Sequence, residues 1–259
     1  MVFETLGPVR PSHYFTKFAN ARPRCMFAQQ CIREANLMAQ KKRVAIILAG
    51  CGAKDGSEIH EAVLTLLAVV RQGAEPVFLA PAGPQASVVN HLSGDTVAEE
   101  RSMLVEAARI ARGKIADLAK HNGADFDALI FPGGFGTAKN LCDFATRGSQ
   151  CTVHPEVERI ILEAHAAGKP MGFICIAPAI AARVLGPKGV QLTIGNEPDT
   201  AKKLTEMGAV HINKSVNEIL TDRKNRVVST PAYMLANNIA ECEAGISALV
   251  TEVLEAFAF

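Results

Sequence analysis

The sequence has no excess of charge of either sign: 27 lysines and arginines stand against 26 aspartates and glutamates, a net of +1. No strong field therefore draws the chain to nucleic acid or to an anionic membrane, and a small, neutral or weakly charged ligand is the expected partner. Long hydrophobic runs are missing as well. The longest apolar stretches, 62–70 and 171–182, are too short or too interrupted by glycine and proline to cross a bilayer, so a soluble protein is expected. Cysteines do not come in pairs. The seven are scattered, without disulfide-like or metal-like spacing, which argues against a disulfide framework and a structural zinc site and for a reducing compartment. The seven histidines form no H-x-x-x-H or Cys/His cluster, so no metal is expected. No internal repeat, low-complexity tract or linker divides residues 38–259.

What the chain does have is length and a large apolar fraction: 259 residues, 49% hydrophobic, enough to bury the core of one large domain. Residues 1–37 differ in texture, with Arg10, Lys17, Arg22, Arg24 and Arg33 against Glu4 and Glu34 and no sustained periodicity. Two readings of that segment stand: an organellar targeting peptide, or a poorly ordered extension, as from translation beginning upstream of Met38. The extension is preferred, and with it a cytoplasmic location; a targeting peptide would make the protein mitochondrial.

From Lys41 the pattern is that of a parallel α/β sheet. Residues 43–49 are a continuous apolar run, the form of a strand buried on both faces. Residues 58–72 carry helical periodicity, with Ser57 as the start and Gly73 as the stop, and 76–80 complete a βαβ unit. The same alternation gives a strand at 126–131, a helix at 155–167, a strand at 170–175 and a helix at 177–185. It continues with a strand at 191–194, a helix at 201–207, a two-stranded ribbon from 218–220 and 226–229, and a closing helix at 239–257. The spacing predicts a doubly wound α/β fold, flavodoxin-like, with a mostly parallel sheet sandwiched by helices. Residues 92–123 have weaker sheet character and include a helix at 99–112; a lid or interface element and an ordinary surface insertion are equally good readings.

Ligands of such sheets gather at the carboxyl ends of the strands, and three junctions there are unusual. The first strand runs into Gly50-Cys51-Gly52 and then Ser57-Glu58-Ile59-His60-Glu61; the strand ending at Phe131 runs into Pro132-Gly133-Gly134-Phe135-Gly136; another ends in Cys175-Ile176-Ala177-Pro178. Cys175 sits where a buried strand turns at once into a helix, whose N-terminus would favour a reactive thiolate. Local sequence alone leaves this reading level with a small, packed core residue. Backbone N–H groups of Gly133 and Gly134 could together hold an oxyanion, although a tight turn is the better reading of that pair alone. Glu58 and Glu61 lie three residues apart on one helical face, and a carboxyl buried beside the thiol would have its pKa raised. Cys51 reads better as a packed turn residue than as part of the pocket. Lys139 and Asn140 read better as solvent-facing than as anion ligands.

In this order, these junctions resemble the DJ-1/PfpI group of the class I glutamine-amidotransferase-like superfamily. Within it they look most like the bacterial enhancing lycopene biosynthesis glyoxalase and its ES1-type mitochondrial relatives. The resemblance covers residues 41 to 259 and rests chiefly on Gly50 to Glu61, Phe131 to Leu141, Gly172 to Pro178 and Ser229-Thr-Pro-Ala-Tyr-Met234. It implies Cys175 as nucleophile, Glu61 as its acid/base partner, Gly133 and Gly134 as the oxyanion turn, and Ile176 and Glu58 as further binding residues. Protease-like members carry a histidine directly after the nucleophile and amidotransferases a later one; here Ile176 follows Cys175, and Asn196 stands where some relatives carry histidine. The implied activity is therefore a glutathione-independent glyoxalase acting on glyoxal or another small 2-oxoaldehyde, without cofactor or metal, in a homodimer. The alternatives are a redox-sensing or binding module and a deglycase, both using the same cysteine.

Overall fold

The computed structural model describes residues 41–255. The expectations for residues 1–37 and for the last two residues of the closing helix lie outside them. Seven strands form the central sheet: β1 (Arg43–Ile47), β2 (Glu75–Ala80), β5 (Ile115–Asp117), β6 (Ala128–Phe131), β7 (Met171–Ile174), β10 (Leu220–Asp222) and β11 (Val227–Thr230). They lie in the order β10-β11-β7-β6-β1-β2-β5, all neighbours parallel except the β10–β11 pair. Two small sheets lie apart from it. One joins β3 (Val88–Val89) to β4 (Thr96–Val97), and the other β8 (Gln191–Leu192) to β9 (Val210–His211).

Alternation along the strands divides the core into two layers, because successive side chains point to opposite faces. Ala45, Ile47, Leu129, Phe131, Met171 and Phe173 face one side, where helices α5 (Pro155–Ala166) and α6 (Pro178–Leu185) cover them. The Phe131 and Phe173 rings stack there with centroids 4.8 Å apart. Val44, Ile46, Ala128, Ile130, Ile174 and Val228 face the other side, under α1 (Ile59–Arg71), α2 (Met103–Ile110) and α8 (Ile239–Glu255). Burial on both faces is what the uninterrupted apolar runs required, and the doubly wound, mostly parallel architecture is as expected. Two single-turn helices, α3 (Thr137–Asn140) and α4 (Phe144–Arg147), follow β6, and α7 (Pro198–Glu206) follows β8.

Several local expectations are corrected. The cap of α1 is Glu58, whose carboxylate accepts from the Glu61 N–H at 2.7 Å; the Ser57 hydroxyl instead accepts from the Ala49 N–H, joining the loop to the end of β1. Helix α7 starts three residues early, because Pro198 takes the first helical position and the Glu197 carboxylate caps it. The 191–194 strand is shorter and pairs with β9 outside the central sheet, while the expected ribbon is the edge of the main sheet itself. The 92–123 segment contributes β5, an edge strand parallel to β2, and its helix is confined to Met103–Ile110 by the Ser102 cap. Asn140 does not face solvent. Its side-chain amide donates to the Ala49 and Asp55 carbonyls at 2.8 and 2.9 Å and accepts from the Ala86 N–H at 2.9 Å, tying down the loop after β1. Lys139 is half-buried, with its ammonium 5.8 Å from the centre of the Phe135 ring.

Candidate active site

The chain order reverses between β1 and β6, the switch point of the sheet, and the carboxyl ends of β1, β6, β7 and β11 meet beside it. Glu61 reaches this point from the first turn of α1 and is fully buried. One carboxylate oxygen accepts from the Gly133 N–H at 2.9 Å and the other from the Tyr233 N–H at 3.3 Å, and the carboxyl lies beside Cys175, both packed against Gly133. Segments far apart in sequence thus hold one carboxyl beside one sulfur.

Cys175 has φ +62°, rare for a residue with a side chain and of order 1–3 kcal/mol in local strain. The conformation is over-determined: its N–H extends the β7–β11 ladder to the Thr230 carbonyl at 3.0 Å, while the chain turns immediately toward α6. The result is a sharp strand-to-helix turn of the shape of a nucleophile elbow, with Cys175 and Glu61 on either side of Gly133.

The electrostatics differ from expectation at the cysteine and agree at the glutamate. Burial, reinforced by neighbouring Glu58, raises the Glu61 carboxyl from the usual 4.5 to about 7. Burial and the adjacent Glu61 also push the Cys175 thiol well above its ordinary value, so the resting residue is a thiol and not the expected thiolate. The helix end cannot reverse this. The N–H groups of Ala177, Ala179 and Ile180 are already bonded to the carbonyls of Ile174, Ile176 and Ala177, and Pro178 has none. The N–H groups of Gly134 and Ile176 favour the anion, and burial outweighs them.

The glycine turn divides into two roles. The Gly133 N–H is occupied by Glu61, which corrects its expected place in an oxyanion hole. A Cβ at Gly133 would lie 2.5 Å from the Cys175 Cβ and 2.7 Å from Glu61 Oε2, so the residue is a spacer that lets the pair meet. Gly134 is the half that faces the cleft: although buried, it lines the cleft wall, has φ +99°, and packs its Cα against the loop before α1. The Glu58 N–H donates to the Gly133 carbonyl at 2.9 Å, and its side chain forms part of the cleft wall.

The cleft over Cys175 measures about 350 Å³ and is lined by Glu58, Gly134, Ile176, Phe135, Phe144, Tyr233, Met234, Thr200 and three alanines. Glu58, Gly134, Cys175 and Ile176 are therefore brought together as the sequence suggested, with Glu61 behind them. Tyr233 and Thr230 carry functions the sequence reading did not assign, although they lie in the motif 229–234. Their signal was present as a motif and lacked only the pairing of β11 with β7. Cys51 and Asn196 are not among the cleft residues. His60, next to Glu61, turns outward and bonds the Tyr233 hydroxyl through Nδ1 at 2.8 Å. Among the other cysteines, burial pushes Cys142 up to about 12, and Cys151 packs its sulfur 3.7 Å from that of Met207. Among the described residues no group of three His, Cys, Asp or Glu side chains could hold a metal ion.

No protein-family model matches the sequence. Human mitochondrial glutamine amidotransferase-like class 1 domain-containing protein 3 is 48% identical over 223 residues, 82% of each chain. The mitochondrial ES1 protein homolog of Rattus norvegicus is 47% identical over 225 residues, covering 83% of this chain and 84% of its own. The chain belongs to the ES1 family of glutamine amidotransferase-like class 1 domain proteins. The fold of this ES1-family chain is shared with an isoprenoid biosynthesis protein with an amidotransferase-like domain from Ehrlichia chaffeensis. That structure has a TM-score of 0.77 and 35% identity over 83% of this chain and 99% of the other. Glyoxalase III of Candida albicans shares the fold alone, with a TM-score of 0.57 and 13% identity over 84% of this chain and 98% of its own. Both curated relatives are named as mitochondrial, which supports the targeting alternative for the ES1-family chain and not the cytoplasmic preference.

Proposed function

We propose that the protein converts a 2-oxoaldehyde to a 2-hydroxy acid without glutathione, through a hemithioacetal on Cys175. The observation that carries this reading is the buried Glu61 carboxyl set beside Cys175 across Gly133, raised to about 7 by its burial. A general base is most effective when its pKa lies near the working pH. Sulfur attacks the aldehyde carbon as the thiol proton passes to Glu61, and the N–H groups of Gly134 and Ile176 stabilise the oxyanion, which then takes that proton from Glu61 to give the hemithioacetal and free the carboxylate. Glu61 next removes the C1 hydrogen to give an enediol and returns a proton at C2. The product is a 2-hydroxy thioester, which water hydrolyses to the acid and the free thiol. Glyoxal turnover by Cys175→Ala and Glu61→Gln proteins is the test: both should lose it, and a near wild-type rate in either sinks the assignment.

The same observation weighs against a redox sensor. Oxidation by peroxide runs through the thiolate, and a thiol raised by burial and by Glu61 holds little of it. A deglycase remains within reach of the same chemistry and separates from the glyoxalase by turnover of glycated amines. A homodimer and a mitochondrial location belong to this proposal. The first is supported by the exposed apolar row Ile59, Val63, Leu67 and Val70 along α1, the second by the relatives' names. Sedimentation of the purified protein tests the dimer. Import assays with and without residues 1–37 test the location.

A further inference from the structure

The cleft is far larger than glyoxal requires. A dialdehyde of four heavy atoms displaces two to three waters, roughly 60–90 Å³ at ~30 Å³ per water. The space above Cys175 is about 350 Å³, and its walls are Phe135, Phe144, Ile176, Met234 and alanine side chains. Phe135 is 61% exposed at the mouth, an arrangement that leaves apolar area in water until something covers it. Charge also selects. Glu58 is in the wall and neither lysine nor arginine lines the cleft among the described residues, so an anionic substrate is disfavoured and a carboxylate product is repelled. The neighbouring groove beyond Phe144 and Ala145 mixes Arg147, Lys202 and Lys203 with Asp199 and Glu206, and so gives no preference for a charged end group.

Resting on the glyoxalase reading, we infer that the preferred substrate is an uncharged 2-oxoaldehyde bearing an apolar body of about five carbons or an aryl ring, not glyoxal. The carbonyls meet Cys175 and Gly134, and the body lies against Phe135, Phe144 and Met234. Each buried methylene is worth ~0.8 kcal/mol, about fourfold in kcat/KM when the contact is kept in the transition state. Full burial of the four methylenes that separate 2-oxoheptanal from methylglyoxal would give about two hundredfold, and partial burial less.

The experiment compares kcat/KM for glyoxal, methylglyoxal, 2-oxoheptanal and phenylglyoxal with wild-type protein and with Phe135→Ala and Met234→Ser. A rise of tenfold to a hundredfold from methylglyoxal to 2-oxoheptanal, reduced severalfold in both variants, is expected. A flat or falling series with clear glyoxal turnover overturns this inference and leaves the glyoxalase reading standing. No turnover of any member overturns both. A rise that either variant fails to reduce overturns the placement of the apolar body, and with it the inference.

Discussion

Replacing Glu61 by glutamine should change how stability depends on pH, independently of its effect on catalysis. In the folded protein the carboxyl titrates at about 7 and in the unfolded chain near 4.5, a difference of some 2.5 units. At ~1.4 kcal/mol per unit this is about 3 kcal/mol. The sign follows from proton counting. Below pH 4.5 the group is protonated in both states and imposes no penalty; between 4.5 and 7 the unfolded chain releases the proton that the folded one retains, so stability falls as pH rises. Above 7 the penalty is complete. Glutamine removes the titration, at a separate and pH-independent cost: its NH₂ must face one of the two backbone donors, Gly133 or Tyr233, and forfeits about 1 kcal/mol or more. Urea unfolding of both proteins from pH 4 to 8 should therefore show the wild type losing about 3 kcal/mol relative to Glu61→Gln with rising pH, so that an initial advantage of about 1 kcal/mol is reversed. Parallel curves would show that the carboxyl is not perturbed, and the argument for a poised base would fall with them.

Other consequences are open to direct measurement. The acid limb of kcat/KM for the best 2-oxoaldehyde should have an apparent pKa near 7, with activity lost as pH falls and Glu61 gains its proton; a limb near 4.5 contradicts the assignment. Gly133→Ala should lower kcat about 10²-fold by separating Cys175 from Glu61, and cost ~1–3 kcal/mol in a melt. Wild-type rates in that protein would mean the spacing is not needed. Asn140→Ala leaves the Ala49 and Asp55 carbonyls and the Ala86 N–H without their partner and should cost about 3 kcal/mol at ~1 kcal/mol per bond. A shift under about 1 kcal/mol would show that water replaces the amide.

The architecture was legible because the strands are buried on both faces and so read as unbroken apolar runs bounded by glycine. Cys175, Glu58 and Gly134 were legible because ligand sites in such sheets lie just past the strand ends. What failed to show were relationships between segments. The thiol's raised pKa depends on which N–H groups of the 174–180 turn are already bonded to carbonyls, and no periodicity encodes that. The loss of the Gly133 N–H to Glu61 depends on a helix and a loop whose residues are 72 apart in the chain. Tyr233 entered the site through its backbone, so its side-chain chemistry gave no clue. Asn140 followed a glycine turn and read as a surface residue, yet buried carbonyls of the preceding loop required a donor.

Both hydrogen bonds that position the Glu61 carboxylate come from main-chain N–H groups, and the N–H groups that favour the Cys175 anion, those of Gly134 and Ile176, are also main-chain. Main-chain donors survive nearly every substitution, so the reactive pair is insulated from changes in the side chains around it. The wall formed by Phe135, Phe144, Thr200 and Met234 can then drift or be redesigned for a different carbonyl compound without rebuilding the chemistry. Selection on such a protein would alter what it accepts long before it altered how it reacts.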